Sequence, residues 1–149
     1  MKFRFPFQAV LKYRHGLEQR AQRQYYQAKA KVDEVMDQIN GMYALLDRTR
    51  KEIQDLQRSE RGPIPDIQLR EEFIGGLLIK IENERRRARI LMSEAEEKHH
   101  QLLEAVKEFK ALEKLRLKRH QEFVRQQRKL EAKEIDELVT MRYKRESQR

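Results

Sequence analysis

The sequence predicts an all-α fold: two long helices forming an antiparallel coiled-coil hairpin, with a longer C-terminal helix overhanging its partner. Three observations predict it. Charged residues make up 40% of the 149 and apolar ones 38%, with no Trp, no Cys and few Gly or Pro, the composition of long helices and coiled coils. Apolar residues recur at alternating steps of three and four over most of the length. One Gly/Pro cluster near residue 63 interrupts that rhythm. The chain is expected to be a single domain over 1–149.

Helix one is expected over about 6–60. Pro6 is tolerated at a first helical position, because its missing N–H would find no intrahelical partner there. From Ala21 the inner face reads Tyr25, Ala28, Val32, Val35, Ile39, Met42, Leu46, Thr49, Ile53 and Leu56. Before Ala21 it reads Phe7, Val10, Arg14 and Leu17. Steps of four then meet on both sides of Ala21, a local relaxation of the supercoil.

The turn is expected over about 61–66. Gly62 suits a helix C-terminus, Pro63 and Pro65 cannot continue a helix, and Asp66 is a fitting N-cap. Helix two follows over about 67–145. Its strict seven-residue row is Ile81, Ala88, Ala95, Leu102, Phe109, Arg116, Phe123 and Leu130. The companion row drifts among Leu77, Leu91, Met92, Ala105, Val106 and Leu112, and apolar density falls after Leu117. At about 1.5 Å per residue the helices are roughly 80 Å and 110–120 Å long.

A turn centred near Pro63 sets Phe7 level with about Arg119 and leaves the chain beyond roughly His120 unpaired. Net charge is +9, and two segments hold the excess. Residues 1–23 carry six basic and one acidic residue, and residues 110–129 carry eight and two. Antiparallel folding brings these segments together, against their mutual repulsion. Folding gives no reason for that, whereas an acidic or polar partner does.

Several function classes are excluded or disfavoured. Without Cys there is no disulfide scaffold or thiol chemistry, which fits a reducing compartment. The run Ile74 to Ile79, broken by Gly75 and Gly76, is far short of the roughly 20 residues that span a bilayer. The N-terminal segment has no apolar region of a secretory signal, so a cytoplasmic location is expected. His99 and His100 are adjacent and lack the spacing of a helical metal pair, and His15 and His120 read as isolated. No nucleophile–base arrangement or phosphate loop is present. No cofactor, metal or catalytic residue is expected, and the chain is not expected to be an enzyme.

Two segments carry candidate interaction chemistry. Phe3, Phe5 and Phe7 alternate with Lys2, Arg4 and Pro6, which reads as a docking tip rich in residues that dominate interfaces. The alternative is a plug that folds back on the open end of the hairpin. The second is Phe73-Ile74-Gly75-Gly76-Leu77-Leu78-Ile79. Two helical glycines cost about 1 kcal/mol each relative to Ala, so a kink or a close-approaching partner is expected there. Tyr43 and Leu45 should lie at a similar height, off the seam of helix one. Arg85-Arg86-Arg87-Ala88-Arg89, flanked by Glu82 and Glu84, reads as a solvated, salt-bridged face.

The chain resembles the FliJ family of the bacterial flagellar export apparatus. The resemblance rests on Phe5, Phe7, Val10, Leu11 and Arg14, on Phe73-Ile74 with Leu77 and Ile81, and on Lys133-Glu134-Ile135-Asp136-Glu137-Leu138 with Arg142-Tyr143-Lys144-Arg145. It implies an antiparallel coiled coil similar to the paired helices of the rotary ATPase gamma subunit. It also implies a stalk whose terminal end enters the pore of the hexameric export ATPase FliI and promotes its assembly and activity. A further implied partner is the export-gate protein FlhA, and some members escort export chaperones. Carried onto this sequence, the gate-facing residues are Gln38, Met42, Leu45, Phe73 and Leu77, with Lys80 and Glu84 on the same strip. Some relatives carry Tyr where Leu45 and Thr49 stand here. The ring-facing residues expected from charge and aromaticity are Phe5, Phe7, Arg14, Arg116, Arg119 and Arg125. Membrane association would be peripheral, through the export apparatus at the inner-membrane face.

Other readings differ in partner. The equivalent stalk of a virulence type III secretion system is the nearest. A nucleic-acid-binding coiled coil would use the basic end on phosphates, although Glu122, Glu131, Glu134, Asp136 and Glu137 argue against a dedicated nucleic-acid surface. A membrane-surface coiled coil would use that end on anionic lipid.

Overall fold

A computed structural model describes residues 2–59 and 64–148. Two long helices account for nearly all of them: α1, Gln8–Arg58, and α2, Ile64–Ser147. They pack against each other, and no strand occurs among the described residues. The fold class is therefore the expected helical hairpin. The expected turn residues Arg61, Gly62 and Pro63 lie outside the described residues.

Both helix starts differ from expectation, for local reasons. Pro6 and Phe7 form a turn before α1, with the Gln8 amide donating to the Phe5 carbonyl at 3.2 Å. Leu11 N–H donates to the Phe7 carbonyl at 2.9 Å. α2 begins at Ile64, not Ile67, and takes Pro65 into its first turn. Proline breaks no intrahelical bond there. Asp66 thus lies inside the first turn instead of capping it, where its charge still favours the helix dipole.

Contacts divide the chain into two compact units. One is Arg20–Leu103 and the other joins Met1–Gln19 to Glu104–Arg149. In the first unit every expected inner position of α1, from Ala21 to Leu56, is buried or half-buried. Its core has two clusters. Val35, Ile39 and Ala88 form one, with Leu91 packed on it. Leu46, Leu77 and Ile81 form the other, with Met42, Leu45 and Ile74 against them. Thr49 is buried and its hydroxyl donates to the Leu45 carbonyl at 2.8 Å. Arg70 Nε donates to Glu52 across the helices at 3.1 Å, and Tyr25 stacks on His99 at 5.0 Å between ring centroids.

From Arg70 to Lys98 the companion row of α2 does not drift, although Val106 is half-buried beside Ala105 as expected. It runs Arg70, Leu77, Glu84, Leu91 and Lys98 at steps of seven, each buried or half-buried. Long charged side chains occupy alternate positions by laying aliphatic stems along the seam. Gly75 and Gly76 leave α2 unbroken, and a Cβ on either would meet nothing within 4 Å. Close packing within this chain is not what they serve.

In the second unit the inner row of α1 begins at Leu11, and the expected Arg14 and Leu17 are half-buried on it. Leu11 is buried, whereas Phe7 and Val10, expected on that row, are exposed. Leu17 and Glu18 are both half-buried before Ala21, and Gln24 and Tyr25 after it, so the inner face widens where the irregularity is expected. Arg116 and Leu130 are likewise exposed, and Leu115 is half-buried beside the place expected for Arg116. An apolar side chain takes the inner position in preference to a guanidinium. The unpaired stretch of α2 begins after Gln127 rather than near His120, because Phe3 reaches along α2 to Phe123.

Candidate functional site

The segment before α1 packs back on α2 within the second unit. Phe5 is 7% exposed and its ring meets Phe7 edge-on at 5.8 Å. Phe3 is half-buried, edge-on to His120 at 5.1 Å and tilted on Phe123 at 5.5 Å. Phe3 and Phe5 therefore plug this end and do not project as a free tip. Burial of apolar area favours that arrangement over display in water. Phe7 differs: it is 41% exposed, and the Arg119 guanidinium carbon lies 5.4 Å from its ring centroid. The expected level pairing of Phe7 with Arg119 is what the structure shows. Cation–π attraction gives such a pair about 0.5–1 kcal/mol at an exposed site.

Cationic side chains gather around these rings. Arg14 pairs with Glu108 across the helices. Arg116, Arg119 and Arg125 are exposed and form no ion pair among the described residues. A groove of about 630 Å³ opens beside them, lined by Phe3, Leu11 and Leu117 with Lys110, Lys114, Arg116 and His120, and with Glu113 as its one acidic side chain among the described residues. The six ring-facing candidates therefore sit in one unit, with Phe5 acting from beneath the surface. Leu11, Leu117, Lys110 and Lys114 join the site without having been singled out for it. Their signal was the antiparallel register, which also pairs His15 with Phe109 at 4.9 Å. His15 and His120, read as isolated, both pack against aromatic rings, His15 tilted and His120 edge-on.

The gate-facing candidates all lie in the other unit but do not make one exposed strip. Leu77 is 6% exposed, inside the core, and Met42 and Leu45 are half-buried around it. Gln38, Phe73 and Lys80 are exposed, and Glu84 is half-buried. Phe73 is 49% exposed near Gly75 and Gly76 in sequence, with Leu69, Leu78 and Ile79 also exposed. Exposed apolar side chains stand near the glycines as expected, whereas Leu45 packs half-buried against the core. In the arginine run, Arg86 and Arg89 share Glu82 at 3.8 and 3.5 Å, and Arg87 pairs with Glu84 at 3.6 Å. That is the solvated face expected of it, apart from Arg85.

No group of three or more His, Cys, Asp or Glu among the described residues could hold a metal ion. Among the described residues no helix is long and apolar enough to cross a membrane. Each unit carries an apolar groove, exposed aromatic side chains and arginines with no ion pair among the described residues. No curated protein and no solved structure gives a significant match to the chain. The family model described as flagellar FliJ protein matches residues 2–148, nearly the whole chain. The chain belongs to the FliJ family and is thus a component of the flagellar export apparatus.

Proposed function

We propose that the chain is the stalk and adaptor of the flagellar export ATPase. Its basic, aromatic unit enters the pore of the FliI hexamer and promotes ring assembly and turnover. One observation carries this reading: residues of two basic segments remote in sequence meet around Phe7 and Arg119, leaving Arg116, Arg119 and Arg125 without acidic partners among the described residues. Opposite charge in the pore would govern encounter rate and orientation more than affinity. Phe7 would supply the apolar contact, held in place by buried Phe5.

The exposed patch around Gln38 and Phe73 would reach the export gate FlhA, with Leu77 supporting it from the core. Export chaperones are further candidate cargo. Association with the inner-membrane face would then be peripheral, through the apparatus. The test is FliI turnover and hexamer formation with and without the purified chain. Stimulation is expected, and R116E/R119E/R125E should reduce it at least tenfold. Failure of the folded chain to stimulate folded FliI removes the reading. Salt-sensitive binding to DNA at moderate ionic strength, with no effect on FliI, would favour the nucleic-acid alternative.

A further inference from the structure

The Arg20–Leu103 unit has a second groove, on the flank of its seam away from Gln38 and Phe73. Helical spacing sets Gln38 and Leu45 on one side of the α1 seam and Met36, Asn40 and Tyr43 on the other. On α2 it separates Phe73 and Lys80 from Arg85, Arg89 and Met92 in the same way. The groove holds about 370 Å³, and its floor is Ile39 and Ala88 from the buried core. Ala88 makes it deep, because it places a methyl group in the row where Ile81 stands one heptad earlier. Its walls are the thioethers of Met36 and Met92 and the ring of Tyr43, all exposed. Thioether walls adapt to different apolar shapes, and Met, Tyr and Arg are enriched at interfaces.

Charge selects the occupant. Among the described residues no Asp or Glu lines the groove. Arg85 is exposed and has no ion pair among the described residues. Arg89, one turn away, has only a share of Glu82 at 3.5 Å, which Arg86 also approaches. Two guanidinium groups at i and i+4 beside an apolar floor match carboxylates one turn apart beside apolar anchors. We propose that this groove docks an acidic amphipathic helix of a partner protein, its apolar face over Ile39 and Ala88 and its carboxylates on Arg85 and Arg89. From Met36 to Tyr43 the groove spans about 10 Å of α1, two turns of an incoming helix. So short a contact makes an exchangeable complex, suited to a partner that is picked up and released.

The chain has no Cys, so Asn40→Cys carries a single environment-sensitive fluorophore within the groove. The probes are two synthetic helical peptides with Leu at i, i+3 and i+7, one flanked by Glu and its twin by Lys. Saturable binding of the Glu peptide is expected, at least tenfold tighter than the Lys twin. R85E/R89E should weaken it at least tenfold and reverse the preference, and R85Q/R89Q should weaken it with helix content unchanged. A fluorophore at Gln38→Cys, on the other flank, should stay silent. Equal binding of the twins, no saturable signal, or indifference to charge reversal overturns the proposal. So does a response to phosphatidylglycerol vesicles with none to peptide, or a concentration-dependent signal from the chain alone, which would assign the groove to lipid or to a second copy. None of these readouts involves FliI, so the ring-side reading stands or falls separately.

Discussion

Phe73 and Leu77 stand one turn apart on α2, yet Leu77 is core and Phe73 is half in water. Residues on a two-helix seam separate this sharply because the core is only one side chain deep. Ile81 and Ile79 make the same contrast. Ile81→Ala should destabilise the fold by about 2–4 kcal/mol, through lost burial and a cavity, while Ile79→Ala should stay within about 0.5 kcal/mol. Urea titration followed by circular dichroism separates the two. Glu18 occupies a seam position and buries one carboxylate oxygen with no hydrogen-bond partner among the described residues. Glu18→Leu should therefore raise stability by about 1 kcal/mol in the same assay, since a buried polar atom without a partner costs that order.

At the scale of the element, α2 hides its regularity behind charge. Arg70, Glu84 and Lys98 hold alternate places in the companion row, so counting apolar residues finds only half of it. Helix α1 keeps nearly apolar rows from Ala21 onward, and there the expected seam and the observed one agree. Gly75 and Gly76 lie within α2 with open space where a Cβ would stand. Each Gly→Ala replacement should stabilise the helix by about 0.5–1 kcal/mol, read as a higher thermal midpoint. No described residue after Gln127 is buried. A chain ending at Lys129 should accordingly unfold within about 0.5 kcal/mol of the full chain.

For the molecule as a whole, electrostatics and packing oppose each other in the unit that holds the chain's first residues. Phe3 and Leu11 line a groove with a stretch of α2 rich in Lys and Arg, and the Arg14–Glu108 ion pair across the helices relieves little of the repulsion. Raising salt screens like charges over a shorter distance, about 3 Å at 1 M against 10 Å at 0.1 M. The thermal midpoint should consequently rise with added sodium chloride, where a fold held by surface ion pairs would lose stability. The same salt should weaken association with FliI, if the ring presents the acidic surface proposed for it.

Residue pattern alone determined the helices, their antiparallel pairing, the α1 seam from Ala21, and the level match of Phe7 with Arg119. Each follows from periodicity and chain reversal, which are properties of order along the chain. Tertiary packing decided which aromatic rings are buried, where the α1 row begins, and that His15 and His120 pack against rings. It also decided that Met36, Tyr43, Arg85 and Met92 line one groove. Those outcomes depend on which side chain of one helix meets which of the other, and a one-residue shift between two adjacent inner positions exchanges Val10 for Leu11 or Arg116 for Leu115. Periodicity tolerates either choice; the apolar area each removes from water does not.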